Sequence, residues 1–559
     1  MDINEVQCRL WEQSQAHKQH RESGTPLFPT DPYEGRIRNL MDLMHHPVWM
    51  EAACDRVLKR SRGKAPGVDR IRACAFKSSR NESLEQLRLE LKRGTYQPRP
   101  LRRVEIPKAN GKIRRLGIPC LRDKIVQEAI RMALEPIFEV EFHENSYGFR
   151  PNRSTHHAVS RCRQAALTHF TWVIEGDVKS CFDEISHQAI RRCLREKVMD
   201  NKFLDLIDRL LRAGVEVDGV VHPTTKGVPQ GGVVSPLLAN AVLNKLDWWL
   251  HSKGFHGTAG HLRASHSRPN IRFARYADDW CVFLTRCPRR YAEELVDDIR
   301  RFLRDSSGLE LSAEKTRITH VRDGYDFLGF NISVGTGKSG KPVPKIKVGR
   351  KAIANIQQRV GEAIRYRPTQ ESIAVRLVRG SAVIRGWSNY FKIAHNFSRV
   401  AHLLDHKAYW TAVKAICLKE DITTAQCLRK YGYRNTIGIH DQRTLARFQD
   451  TKATYYPSSP QPYQPGCDQP YLEDDHWEVG FVLYDRSRPG SGDLKWQALI
   501  RDNFHCRHCG EVVSITTSRA DHTVPVKCFA SFAQAHKLEN IQTLCLKCDK
   551  LKNAGKTGV

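Results

Sequence analysis

The stretch FARYADDWCVFL, residues 273–284, sets two carboxylates side by side inside an apolar run. Ile271, Phe273, Val282, Phe283 and Leu284 read as strand, and on a strand of period two Asp278 and Asp279 would point to opposite faces. One acid would then enter the core, where an unpaired carboxylate costs several kcal/mol. A strand–turn–strand reading, Ile271–Tyr276 and Trp280–Leu284, removes that cost. Ala277, Asp278 and Asp279 then form a hairpin tip, and neither acid need be buried.

The segment TWVIEGDVKSCFDEISH, residues 171–187, supplies a third acid. Trp172, Val173, Ile174 and Val178 predict a strand with Asp177 at its end. Ser186 is the expected N-cap of a helix whose inner face carries Ile190 and Leu194. Three carboxylates brought together repel, and each has its pKa raised unless cations intervene. Two Mg²⁺ ions would compensate, and such a pair also suits in-line phosphoryl transfer to a primer 3′-hydroxyl, with pyrophosphate leaving. Asp278–Asp279 alone is better read as a solvated turn; Asp177 and the next motif reverse that balance.

That motif is KGVPQGGVVSPLLANAVLNKLDWWL, residues 226–250. Pro229–Gln230–Gly231–Gly232 is a tight loop whose glycines let backbone approach a ligand. Ser235 is the expected N-cap of the helix that follows, with Pro236 at its first position and Leu238, Val242 and Leu246 on one face.

The chain has 559 residues, enough for three or four domains of about 150 residues each. Lys and Arg total 90 against 61 Asp and Glu, a net charge of +29, which points to a polyanionic partner, nucleic acid before membrane. No stretch reaches the roughly 18 apolar residues of a membrane span, and the polar start MDINEVQCRLWEQ is unlike a signal peptide. The 17 cysteines are too dispersed for a secreted disulfide scaffold, and a reducing compartment is expected. Residues 1–60 read as a helical extension. Residues 61–335 alternate strand and helix, with a helical stripe over 124–138. Residues 350–420 read as mostly helical, and 452–475, rich in Pro, Ser and Tyr, as linker.

In this order the motifs resemble the reverse transcriptase and splicing maturase encoded within group II introns. GKAPGVDRI (63–71) resembles that family's N-terminal extension block, and IPKANGKIRRLGIPCLRDKIVQ (106–127) its fingers hairpin and following helix. FHENSYGFRPNRSTHHA (142–158), DVKSCFD, PQGGVVSPLLAN and YADD resemble its successive palm blocks. LELSAEKTRITH (309–320) and YDFLGFNI (325–332) resemble its last palm strand and primer-gripping segment. The resemblance implies a multidomain α/β right-hand polymerase: fingers and palm over 61–335 and an α-helical thumb or maturase domain over 336–430. A DNA-binding or linker region over 431–490 would follow, then a small C-terminal module over 491–559.

The same resemblance implies that Asp177, Asp278 and Asp279 hold two Mg²⁺ and that Phe182 is a steric gate excluding a 2′-hydroxyl. Gln230 would lie near the incoming sugar and base of a dNTP. Lys108 and Arg114 would clamp its triphosphate, and Lys315 would meet the leaving pyrophosphate. The implied partners are the group II intron RNA, target DNA and dNTPs, with no membrane. The implied location is cytoplasmic, bacterial or organellar, associated with nucleoid or ribonucleoprotein. Over IRGWSNYFKIAHNFSRVAHLLDHKAYW (384–410), Arg385, Lys392 and Arg399 are the RNA-contact candidates, whereas Trp387 and Tyr390 at that spacing are expected in the core.

At the C-terminus, Cys506-x-x-Cys509 and Cys545-x-x-Cys548 are two close pairs of soft ligands, fit for a tetrahedral structural Zn²⁺. Between them lie Asp521–His522 and Asn540, which resemble the HNH nuclease, a ββα-metal module. By that resemblance Asp521 and the residue after Cys548 hold one Mg²⁺, His522 is the general base and Asn540 orients the histidine loop. The family usually has histidine after the last cysteine; here it is Asp549. A carboxylate is a good Mg²⁺ ligand, so retained cleavage with altered metal preference and loss of cleavage both stay open. The expected protein reverse transcribes from a nick made by its own nuclease. The alternative is an RNA-binding maturase whose tail only binds DNA.

Overall fold

The structure, a computed structural model, describes residues 1–23, 36–61, 65–107, 113–167, 170–254, 270–285, 287–337, 340, 342–365, 372–433, 436–439, 442–454, 460, 463–465, 498, 501–502, 505–511, 518–524, 538–545, 548 and 551. Lys108, Asp549, and most of the 431–490 and 491–559 segments lie outside them. The chain forms two compact units. One comprises Met1–Ala363, Val383–Trp410 and Arg447–Val479, the other Ile364–Ala382, Thr411–Ala446 and Gly480–Val559.

In the first unit the strands are β1 (Leu101–Pro107), β2 (Ile113–Ile118), β3 (Phe170–Asp177), β4 (Val215–Val217), β5 (Val220–His222), β6 (Ile271–Tyr276), β7 (Asp279–Thr285), β8 (Arg317–His320), β9 (Tyr325–Phe327), β10 (Phe330–Thr336) and β11 (Pro342–Val348). They form three sheets of order β2-β1-β4-β5, β6-β7-β3-β8 and β11-β10-β9. The second, which carries the acids, is antiparallel throughout. Its strands are apolar on both faces: Ile271, Phe273, Val282, Leu284, Val173 and Ile174 are all buried, as a sheet covered on its far side requires. Helices Ser235–Ser252 and Arg289–Ser307 pack against it.

The helix predicted over 124–138 runs from Leu121 to Glu139 and is buried on nearly every side, well beyond one stripe. Helices Ile3–Ser23 and Pro47–Arg60 cover it, and Trp49 Nε1 donates to the Ala129 carbonyl at 3.1 Å. Its charged residues survive burial because they are paired: Arg131 with Glu128 at 2.7 Å, and Glu139 with Arg150 at 2.8 Å.

Two local expectations change. β7 begins at Asp279, so the hairpin turn is only Ala277–Asp278, closed by the Tyr276–Asp279 pair. Ala277 takes φ 54°, the positive φ that tight two-residue turns demand. The helix after the glycine loop starts at Ser235 itself with Val234 as its cap residue, so Ser235 is the first helical residue and makes no capping bond. Val234 already has helical backbone, φ −88° and ψ −15°, which moves the boundary one residue earlier.

Within the second unit, Ser381 Oγ donates to the Thr444 carbonyl at 2.7 Å and accepts from Ala446 N at 2.8 Å, stapling a helix to the hairpin segment after it. Strands Ser518–His522 and Ile541–Cys545 pair antiparallel. Thr543 N donates to the buried Asp502 carboxylate at 2.9 Å. Among the described residues no helix is long and apolar enough to cross a membrane.

Candidate active site and metal centre

β3 and β7 run side by side with Asp177 and Asp279 as Cα partners, and Asp278 occupies the adjoining turn. Asp177 and the adjacent pair Asp278–Asp279, distant in sequence, therefore meet at one rim of one sheet. Burial lifts the Asp278 carboxyl above its ordinary range, and the Asp177 charge adds to the effect. Asp279 is pushed up to about 7, first by desolvation, then by the Asp278 and Asp177 charges. Asp279 is exposed at the start of β7, where its carboxyl meets the charges of Asp278 and Asp177. A donor set of three crowded carboxylates is what a divalent cation relieves, so the residues fit Mg²⁺.

Lys315 Nζ donates to Asp177 Oδ2 at 2.7 Å, so a cation already stands at the cluster. Although partial burial pulls its pKa down, the bond to Asp177 holds the ammonium above its usual value. Ser312 N donates to the Asp177 carbonyl at 2.9 Å, which fixes the loop carrying Lys315.

Phe182 and Gln230 line one cavity of about 430 Å³ with Arg114 from β2. Gln230 Nε2 donates to Asp183 Oδ2 at 3.0 Å, and Gly117 N donates to the Gln230 carbonyl at 3.0 Å, so Gln230 is held through both its side chain and its backbone. Gly231 has φ 110°, and a Cβ there would sit 3.1 Å from the Gly117 carbonyl oxygen; only glycine fits without strain. The sequence reading does not single out Phe149, which lines the same cavity with a left-handed backbone, φ 54°. Its ring stands edge-on to Phe182, centroids 6.3 Å apart at 85°. A bulky residue in a glycine-like conformation between Gly148 and Arg150 leaves no periodic signal.

Of the RNA-contact candidates, Arg385 and Arg399 are exposed and Lys392 is half-buried. The aromatics among them pack inward: Trp387 lies 4.7 Å from Phe391 and 5.4 Å from Phe448, and Tyr390 Oη donates to the Leu328 carbonyl at 2.9 Å.

In the second unit the sulfurs of Cys506, Cys509, Cys545 and Cys548 lie within 4.8 Å of one another. Cys509 and Cys545 Sγ are 3.8 Å apart, and tetrahedral Zn–S bonds of about 2.3 Å span about 3.8 Å between sulfurs, so the four fit Zn²⁺. Although burial pushes the Cys506 thiol up, backbone N–H groups of Cys509, Cys545 and His508 outweigh it and lower the pKa to about 7. Asn540 brackets the residues after His522: its Oδ1 accepts from Val524 N at 2.8 Å and its Nδ2 donates to the Val524 carbonyl at 3.0 Å. Gln542 Nε2 donates to Asp521 Oδ2 at 3.1 Å.

The family model for reverse transcriptase (RNA-dependent DNA polymerase) matches residues 106–332. That for the group II intron maturase-specific domain matches 353–432, and that for HNH endonuclease 506–555. The chain is 39% identical to Protein YkfC of Escherichia coli over 324 residues, covering 54% of this chain and 84% of that protein. It is 29% identical over 424 residues to the group II intron-encoded protein LtrA of Lactococcus lactis, covering 63% of this chain and 70% of LtrA. The chain belongs to the group II intron-encoded proteins. A Saccharomyces cerevisiae protein, the putative COX1/OXI3 intron 2 protein, is 29% identical over 417 residues; the chain spans about half of its length, 48%. The intron-encoded protein is thus a reverse transcriptase with a maturase-specific domain and an HNH endonuclease domain.

Proposed function

We propose that this intron-encoded protein binds its own intron RNA, assists its splicing, nicks target DNA with the HNH module, and copies the inserted RNA from the 3′ end of that nick. The observation that carries the reading is the meeting of Asp177, Asp278 and Asp279 beside a cavity lined by Arg114, Phe182 and Gln230. In this reading the acids sit on a palm, β1 and β2 belong to fingers, and the helices after residue 350 form a thumb.

Asp177, Asp278 and Asp279 would hold the catalytic Mg²⁺, which when bound activates the primer hydroxyl and stabilises the leaving pyrophosphate. Arg114 offers a fixed positive charge to the triphosphate, and Lys315 stands ready to exchange its bond to Asp177 for pyrophosphate oxygen. The Phe182 ring closes the floor where a 2′-hydroxyl would sit. Gln230, held by Asp183, presents its amide to the sugar and base. In the tail, Cys506, Cys509, Cys545 and Cys548 would bind structural Zn²⁺, and His522 would take the proton from the attacking water. Asp521 and Asp549 would hold the nuclease Mg²⁺.

Primer extension on an RNA template by the Asp278→Asn protein tests the polymerase assignment; unchanged cDNA yield would sink it. The aspartate after Cys548 favours a second reading, in which the tail binds DNA without cutting. Nicking of target DNA by the parent and His522→Ala proteins separates the two. Equal nicking removes His522 as base, and no nicking by either supports the second reading.

A further inference from the structure

Arg275 lies one residue before the YADD segment and is 1% exposed, yet none of the roles above uses it. Its side chain is fully engaged. Nε and Nη2 donate to the Asp247 carboxylate, the closest at 2.6 Å, and Nη1 donates to Asn240 Oδ1 at 2.9 Å. Asp247 and Asn240 are themselves buried on helix Ser235–Ser252. The remaining bond is the informative one: Nη1 also donates to the Ala277 carbonyl at 3.0 Å.

That carbonyl belongs to the left-handed residue of the metal-binding turn. Positive φ in an alanine is strained, and the conformation persists only where surroundings over-determine it. The backbone of the turn is confined from a second side as well. A Cβ on Gly148 would lie 2.5 Å from Ala277 N, so the 145–148 segment touches the turn directly. That segment is locked to the same arginine: Arg275 N donates to the Asn145 carbonyl at 2.9 Å, Tyr147 N donates to the Arg275 carbonyl at 2.8 Å, and Asn240 Nδ2 donates to the Gly148 carbonyl at 2.8 Å.

We propose that Arg275 is a positioning residue for the acidic turn: its guanidinium, oriented by Asp247 and Asn240, grips the Ala277 carbonyl and so sets Asp278 and Asp279 against Asp177. A planar donor fork suits the task, because it can satisfy a carboxylate and a carbonyl in one plane, which a single ammonium cannot. The inference rests on the assignment of the three acids as metal ligands.

Two variants separate positioning from bulk stability. Arg275→Gln with Asp247→Asn removes both buried charges, and Arg275→Lys keeps an ion pair with Asp247 but loses the fork. The full chain is measured for melting temperature, for primer extension against Mg²⁺ and dNTP concentration, and for Tb³⁺ binding by luminescence. In whichever variant melts like the parent, the half-saturating Mg²⁺ and Tb³⁺ concentrations should rise at least about tenfold, with dNTP KM little changed. Parent-like Mg²⁺ and Tb³⁺ dependence in either folded variant overturns the proposal. Asp278→Asn is the control for the underlying assignment: if it leaves Tb³⁺ binding unchanged, the metal-ligand reading fails, whatever Arg275 does.

Discussion

Asp177 and Asp279 are cross-strand partners on β3 and β7, and Lys315 Nζ sits 2.7 Å from Asp177 Oδ2. Like charges directly opposite destabilise a sheet, so this pair should weaken the fold when no cation is bound. Asp279→Asn should therefore raise the melting temperature in EDTA by about 1–3 °C. The same variant should lose several kcal/mol of transition-state stabilisation, at least about a thousandfold in primer extension. Calorimetry and extension assays on one preparation check both signs.

Phe182, with Phe149 edge-on to it, closes the cavity that also holds Gln230 and Arg114. A wall that excludes by shape discriminates modestly, so Phe182→Ala should raise the use of rNTP relative to dNTP by up to about a hundredfold. Competition assays with both nucleotides read the ratio, and an unchanged ratio removes Phe182 as the gate.

The four clustered sulfurs should bind one Zn²⁺ per chain, measurable by elemental analysis. Structural zinc modules fold on their metal, so chelation or Cys545→Ser should unfold the tail and abolish DNA nicking. Primer extension should persist, since the acids lie in the other unit.

His143 is buried, accepts from Asn145 N at 3.1 Å and lies 3.2 Å from His251 Nδ1. Burial first, then the positive neighbours, drops its pKa from 6.5 to about 3. The unfolded chain thus binds a proton below pH 6.5 that the fold refuses until about 3. The stability it contributes is full above 6.5 and is lost as pH falls toward 3, with a slope of at most about 1.4 kcal/mol per pH unit. Urea midpoints at pH 7, 6 and 5 should fall more steeply in the parent than in His143→Asn.

Much of this was legible along the chain because the signals are local. Apolar runs marked β3, β6 and β7, the Pro–Gln–Gly–Gly run marked the loop, and two Cys-x-x-Cys pairs marked the candidate metal centre. Residue order carried the family resemblance that named Phe182, Gln230 and Arg114. Boundaries moved by one residue at Asp279 and Ser235, where turn closure and a helical Val234 overrode side-chain preference. Other features have no local signature. Arg275 is an ordinary cation in the string, and its purpose depends on Asp247 and Asn240 arriving from a helix about 30 residues earlier. Phe149 is a commonplace aromatic until its positive φ turns it toward Phe182. Chemistry that depends on residue type and spacing can be read from the chain itself. Pairing, burial and register belong to the fold, because the energy of a buried charge or a strained turn is set by neighbours that sequence distance does not reveal.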